Sequence, residues 1–290
     1  MTAKIIDGVA IARSVRVGIA ERANALKARG VNPGLTVILV GDDPASAIYV
    51  RNKVRACAEV GIKSEVVRLP HDISERQLLD RIRALNEIPS IHGILVQLPL
   101  PRHISVRRVV ETISAGKDVD GFHLYNVGGL VIGQTVFPPC TPYGVQKILE
   151  HENIELEGKN VTVVGASNIV GKPLALMLMQ REATVAICHA KTRDLTQYTI
   201  LADILVVAAG SPNLIVPAMV RTGAVVIDVG INFVDGRLVG DVDFEGVRRK
   251  ASYITPVPGG VGPMTVTMLL ENTVAAAERA TAARMQSVDA

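Results

Sequence analysis

The chain has 290 residues, 48% apolar and 20% charged, with 25 glycines and 15 prolines, a composition that fits a folded globular protein and excludes a disordered one. A formal net charge of +3, with no basic run and no basic-aromatic stripe, argues against nucleic acid as a partner. The apolar runs are strand-length, far short of the roughly 20 residues of a membrane span. The start "MTAKIIDGVAIARSV" lacks the apolar core of an export signal, so a cytoplasmic protein is expected.

Cys57, Cys140 and Cys188 are odd in number and widely spaced, with no Cys-x-x-Cys pair, and read as thiols of a reducing compartment. The histidines are scattered without ligand spacing, so no metal is expected.

Strand-like and helical patterns alternate along the chain. "LTVILVG" (35–41) precedes a helix from Pro44 to Glu59, with Asp43 to cap it and Gly61 to end it. "EVVRLP", a helix near 74–87 and the strand "IHGILVQLP" complete a βαβαβ series, apolar enough for a parallel sheet covered on both faces. The stretch 114–141 reads as loop-rich and breaks the rhythm. A helix then starts at "TPYGVQKILEHE", with Thr141 capping it and Pro142 in its first turn. "KNVTVVGAS", a helix near 171–181, "ATVAICHA", "ADILVVAAG" and "GAVVIDVG" form a second βαβ array, and 264–283 is a long helix. The expected fold is therefore two α/β domains with parallel sheets flanking a cleft, the second Rossmann-like. Residues 1–139 form the first and 140–263 the second, with the terminal helix packing back on the first.

"VTVVGASNIVGKP" is a strand, a glycine turn and a helix start. Gly165 lets the chain turn, Gly171 allows close approach, and backbone N–H groups helped by Ser167 would face a pyrophosphate. The spacing is not Gly-x-Gly-x-x-Gly, so an ordinary βα turn stands beside the dinucleotide reading. After the next strand come His189, Lys191 and Arg193 before the first acid, Asp194, a pattern that favours NADP over NAD.

Tyr49 and Lys53 lie one turn apart, beside the apolar face made by Val50, Val54 and Cys57. They can serve a site at the sheet edge or be a boundary tyrosine and a snorkelling lysine. Short-chain dehydrogenases carry Tyr-x-x-x-Lys after the glycine loop; here the pair precedes that loop by more than a hundred residues, so that family is excluded. Gln97 ends an apolar strand, where its amide needs partners. In "GKDVDGFH", Asp118 or Asp120 could bind a heterocycle bearing an amino group beside a ring N–H, or could form the turn.

Taken together, "YVRNK", "GILVQLPLP", "KDVDGFH", "TPYGV", "VVGASNIVGKP", "VIDVGIN", "GDVDF" and "TPVPGGVGPMT" resemble, in order, the bifunctional methylenetetrahydrofolate dehydrogenase / methenyltetrahydrofolate cyclohydrolase family. The resemblance implies oxidation of 5,10-methylenetetrahydrofolate with NADP, hydrolysis of the methenyl cation to 10-formyltetrahydrofolate, a role that feeds purine biosynthesis, and a homodimer. It implies that Lys53 is the central cyclohydrolase residue, tuned by Gln97 and held in place by Tyr49, which also orients the folate. Asp120 would grip the amino-pyrimidine edge, and Leu98, Pro99, Pro258, Gly259 and Gly260 would line the folate site. Gly165, Ala166, Ser167, Lys172, His189, Lys191 and Ile231 would meet the cofactor. Some members carry Arg where this chain has Ala166, and Arg or Ser where it has Ala190, positions that commonly help hold the 2′-phosphate. Lys172, Lys191 and Arg193 stand as substitutes. Two alternatives keep the fold: a cyclohydrolase with a weak dehydrogenase half, and a non-catalytic dinucleotide-binding protein. The presence of Tyr49, Lys53, Gln97 and Asp120 speaks against the second.

Overall fold

The computed structural model describes residues 2–288. The chain begins β1 (Lys4–Ile5), α1 (Gly8–Ala28), β2 (Gly34–Val40), α2 (Pro44–Val60), β3 (Lys63–Leu69), α3 (Glu75–Asn86), β4 (Gly93–Val96), α4 (Val106–Thr112) and α5 (Leu124–Ile132). It continues α6 (Cys140–His151), β5 (Asn160–Val164), α7 (Gly171–Met179), β6 (Thr184–Cys188), α8 (Thr196–Thr199), β7 (Ile204–Val207) and β8 (Val225–Asp228). A hairpin of β9 (Asn232–Val234) and β10 (Arg237–Val239), then α9 (Phe244–Arg248), β11 (Tyr253–Ile254) and α10 (Val261–Val288) complete it. Two compact units result: one from Ser14–Pro138 with the chain from Val266 on, the other from the chain up to Arg13 with Pro139–Thr265.

The first unit is built on a parallel sheet of order β3-β2-β4. All seven residues of β2 are buried, as a central strand covered on both faces requires. Ile38, Leu78, Ile82 and Ile94 form part of its core. Helix α2 starts where its signals stand: Asp43 Oδ2 accepts the Ser46 N–H at 2.7 Å, Pro44 fills the first turn, and Gly61 ends it at φ 80°. Helix α3 opens with a Ser74–Gln77 capping box. The later part of α10 belongs to this unit. Arg22 pairs with Glu271 and Glu278, and the buried Asn272 donates to the carbonyls of Val119 (2.9 Å) and Pro138 (3.0 Å).

The second unit carries a six-stranded sheet of order β1-β11-β8-β7-β5-β6, parallel throughout. Its central strands β7 and β8 are buried along their whole length.

Three expectations need correction. The chain's start belongs to the six-stranded unit and not to a domain spanning 1–139, because Lys4–Ile5 adds to β11 and Ala3 donates to the Arg248 carbonyl at 2.8 Å. A two-residue strand offers no periodicity to read. The stretch 114–141 is not all loop: α5 runs through it, with its Tyr125 N–H on His123 Nδ1 and Gly133 in the left-handed region at its end. Gly128 and Gly129 hide that helix in sequence, yet a Cβ on Gly129 would stand 2.8 Å from the Gln134 carbonyl oxygen. Helix α6 starts at Cys140, so Thr141 is inside it and meets Thr265 through its hydroxyl at 3.1 Å.

Candidate active site

In the three-stranded unit the chemistry gathers at the carboxyl ends of β2 and β4. Helix α2 leaves that edge after Asp43, and side chains on a helix lean toward its N-terminus, so Tyr49 and Lys53 lean back toward the edge. Val50 and Cys57 are buried, while Tyr49 stays 37% exposed and Lys53 half-buried beside them. Burial pushes the Cys57 thiol up to about 12, which makes it packing and not a nucleophile.

Gln97 continues the ladder past β4, its N–H donating to the Ile38 carbonyl at 2.9 Å. Its side-chain Nε2 donates to the Leu98 carbonyl at 2.6 Å, which turns Oε1 toward Lys53. Lys53 Nζ donates to that oxygen at 3.0 Å. The amine is thus held by a neutral acceptor, which positions it without the permanent counter-charge a carboxylate would impose.

The loop after α4 carries the two aspartates that the sequence left open. Asp118 is 2% exposed, and its Oδ2 accepts the His123 N–H (2.7 Å) and Asn126 Nδ2 (2.8 Å). Burial pushes its carboxyl above the usual range, against the pull of those two donors. Asp118 is therefore turned inward to hold the loop. Asp120 is half-buried and borders a small pocket with Leu98, Val96 and Phe122, which brings it to the end of β4. Lys117, which its sequence pattern does not single out, anchors the same loop by donating to the carbonyls of Asn86 (2.6 Å) and Ile88 (2.8 Å) at the end of α3 and just past it. The peptide bond between Leu98 and Pro99 is cis.

In the six-stranded unit the turn after β5 is shaped by close approach. Gly165 has φ 122°, and a Cβ there would lie 2.1 Å from the Ala208 carbonyl oxygen. A Cβ on Gly171 would lie 1.9 Å from the Gly165 carbonyl oxygen. Ser167 Oγ accepts the Val170 N–H at 3.1 Å, so the hydroxyl also steadies the start of α7 while its own proton stays available to an anion. Ala166 is half-buried, and Lys172 lies exposed with its amine on Asn168 Oδ1. After β6, His189, Lys191 and Arg193 are exposed, and His189 Nδ1 accepts the Lys191 N–H. Ile231, 48% exposed, follows β8. A Cβ on Gly8 would lie 1.8 Å from the Gly260 carbonyl oxygen, so the smallness of Gly260 already serves the chain's own packing beside the exposed Pro258 and the half-buried Gly259. This cradle of close-set glycines, bare backbone and exposed cations fits a dinucleotide.

A cavity of about 360 Å³ lies at the amino ends of β7 and β8 around the Asp203–Arg221 ion pair, at the sheet edge opposite these loops. Among the described residues no group of three or more His, Cys, Asp or Glu is arranged to hold a metal, and no helix is long and apolar enough to cross a membrane.

Comparison with known proteins matches residues 6–120 to the tetrahydrofolate dehydrogenase/cyclohydrolase catalytic domain and residues 139–281 to its NAD(P)-binding domain. The bifunctional protein FolD of Nitrosospira multiformis is 59% identical over 97% of this chain and 98% of its own. The crystal structure of the bifunctional FolD dehydrogenase/cyclohydrolase from Campylobacter jejuni superposes with TM-score 0.94 at 53% identity, covering 96% of this chain and 99% of that one. The Trypanosoma brucei dehydrogenase-cyclohydrolase, solved with NADP and an inhibitor, gives TM-score 0.93 at 39% identity over 97% and 99%. With both domains matched in order along nearly its whole length, the chain belongs to the tetrahydrofolate dehydrogenase/cyclohydrolase family.

Proposed function

We propose that the chain oxidises 5,10-methylenetetrahydrofolate with NADP and hydrolyses the resulting methenyl cation to 10-formyltetrahydrofolate. The observation that carries the hydrolytic half is the Lys53 Nζ to Gln97 Oε1 hydrogen bond of 3.0 Å beside Tyr49. The methenyl carbon is already electrophilic, so the protein's task is to place a water and manage its protons. Lys53 hydrogen-bonds the attacking water and passes protons as the adduct collapses and the ring opens. Gln97 holds the amine on station, and Tyr49 offers an exposed ring on which the folate stacks. Asp120, half-buried at the small pocket by the end of β4, accepts paired hydrogen bonds from the amino-pyrimidine edge. Leu98 and Pro99, after β4, line the substrate.

NADP, when bound, supplies the hydride acceptor. This chain's part is to hold its phosphates at Gly165, Ala166 and Ser167 and its nicotinamide end near Ile231. The exposed Lys191 and Arg193, with Lys172 and His189, favour a 2′-phosphate over a bare ribose hydroxyl. We further propose a cytoplasmic homodimer. Its three buried cysteines are thiols, the edge strand β6 exposes Ile187, and Tyr198, Ile200 and Leu201 are exposed as well.

The test is a side-by-side assay of the purified chain with methylenetetrahydrofolate and either NADP or NAD. Reduced-cofactor absorbance should appear with NADP, followed by loss of the methenyl signal. Turnover with NAD alone would reverse the cofactor assignment, and no turnover with either would remove the dehydrogenase.

A further inference from the structure

The strand order puts β5 between β6 and β7, so the chain leaves β5 to one side and returns to the other. In such sheets the ligand crevice lies between the loops that follow those strands, here the Gly165 turn and the segment Ala209–Ser211 after β7. That segment is exposed on its outer side. On its inner side three successive backbone N–H groups converge on one carboxylate. Asp241 Oδ2 accepts from Ala209 (2.7 Å) and Gly210 (2.9 Å), and Oδ1 accepts from Ser211 (2.9 Å). The fourth donor is Asn232 Nδ2, at 2.8 Å from Oδ1, in the segment that follows β8 and carries Ile231.

Asp241 is fully buried. A second buried carboxylate holds it in turn: Asp228 Oδ1 accepts the N–H of Asp241 (3.0 Å) and of Gly230 (2.9 Å), and Oδ2 accepts that of Val242 (3.0 Å). Room for both is reserved. A Cβ on Gly230 would sit 2.3 Å from Asp241 Cγ, and one on Gly240 would sit 1.9 Å from Asp228 Oδ2.

Successive N–H groups converging on one point form the concavity that proteins use for phosphate. Here it is filled from within, so the lip after β7 cannot take the pyrophosphate, which is left to the turn after β5. What an internal anion supplies at that place is rigidity across two loops. We propose that Asp241 is a positioning residue of the dehydrogenase reaction: it locks Ala209–Ser211 to the Asn232 segment and so sets the seat of the cofactor's nicotinamide half. This inference rests on the NADP reading of the six-stranded unit.

No isostere can replace it. Its two oxygens each meet two donors, so an asparagine turns its NH₂ against the Ala209 and Gly210 N–H groups in one orientation and against that of Ser211 in the other. In the full chain, Asp241→Asn should lower dehydrogenase kcat/KM about a hundredfold, the scale of a 1 Å misplacement, chiefly through KM for NADP. Hydrolysis of preformed methenyl substrate should stay near wild type, and amide exchange at 209–211 should accelerate. Where that variant fails to fold, Asn232→Ala decides. It leaves the three backbone donors on Asp241 and cuts the tie between loops, together with a 3.4 Å contact to the Val239 carbonyl inside the β9–β10 hairpin, and should raise KM for NADP about threefold or more with KM for folate unchanged. A wild-type KM for NADP in either folded variant overturns the proposal, as does an equal fall of both activities, which would make the clamp merely structural. A wild-type chain that turns over no NADP sinks the cofactor reading, and this inference with it.

Discussion

Replacing Gly171 by alanine sets two effects against each other. Gly171 opens α7 without a left-handed φ, so on helix propensity alone alanine should stabilise the chain by about 0.5–1 kcal/mol. The added methyl, however, would lie 1.9 Å from the Gly165 carbonyl oxygen, where real Cβ atoms keep 3.0 Å, leaving about 1.1 Å to be made up. Neither side can yield by rotating a side chain. The obstacle is backbone, and Gly165 is itself pinned, donating to the Cys188 carbonyl at 2.9 Å with the Ala208 carbonyl at its back. The turn proposed to hold the phosphates must therefore open by about 1 Å, which costs about a hundredfold in rate, roughly 2.7 kcal/mol. The steric effect wins. Gly171→Ala should lose about two orders of magnitude in dehydrogenase kcat/KM, mostly as a higher KM for NADP, with cyclohydrolase activity retained. A variant with unchanged KM for NADP and a raised Tm would refute the reasoning and return this glycine to the role of an ordinary helix start.

Lys53→Met should cut methenyl hydrolysis by about 10²–10⁴-fold while the urea midpoint barely moves; a stable variant that still hydrolyses would make Lys53 a packing residue. Asn272→Leu removes a buried donor from the Val119 and Pro138 carbonyls and should cost about 2–4 kcal/mol in urea unfolding, with KM for folate raised because Val119 precedes Asp120. Burial pushes the Asp228 carboxyl up to about 6, against the backbone donors of Asp241, Gly230 and Val242 and with help from the Asp241 carboxyl. Its folded value lies above the unfolded one, so the folded chain holds this proton more tightly. The stability this group contributes is full below about pH 4 and is lost as pH rises to about 6, some 3 kcal/mol in all. Unfolding free energies at pH 4.5 and 7 should show about 2 kcal/mol of that fall in the wild type and not in Asp228→Asn.

What the sequence made legible was local. Asp43, Pro44 and Gly61 bracket α2 because capping chemistry acts within one turn, and Gln97 stood out because an amide ending an apolar strand needs partners. The order of strands in the larger sheet was not legible. Its parallel strands read as similar apolar runs, and β1 and β11 are two residues each. Helix α5 was lost among its glycines. The Asp241 clamp lay inside "GDVDF", a string useful for its resemblance, but its meaning depends on N–H groups thirty residues earlier in the chain, which no spacing rule reaches.

The same tripeptide occurs in both units, Asp118-Val119-Asp120 and Asp241-Val242-Asp243, and the structure uses the copies alike. Each lies at an isolated parallel bridge, Ile94 with Asp118 and Ile215 with Val242. In each, the first carboxylate is buried and collects loop donors that have no ladder partner, while the second remains half-buried at the rim. Asp243 caps α9 through the Gly246 N–H at 3.1 Å; Asp120 is the carboxylate that meets the pterin in the proposed reaction. The copies differ in one respect that can be measured. Both donors to Asp118 meet Oδ2, so Asp118→Asn can keep them on its remaining oxygen and put its NH₂ elsewhere, and burial already favours a neutral group there. Asp241 offers no such side. Asp118→Asn should therefore cost under about 1 kcal/mol and Asp241→Asn about 2–4 kcal/mol in urea unfolding. Equal losses, or the reverse order, would mean that the count of donors per oxygen does not govern these loops and that charge alone does.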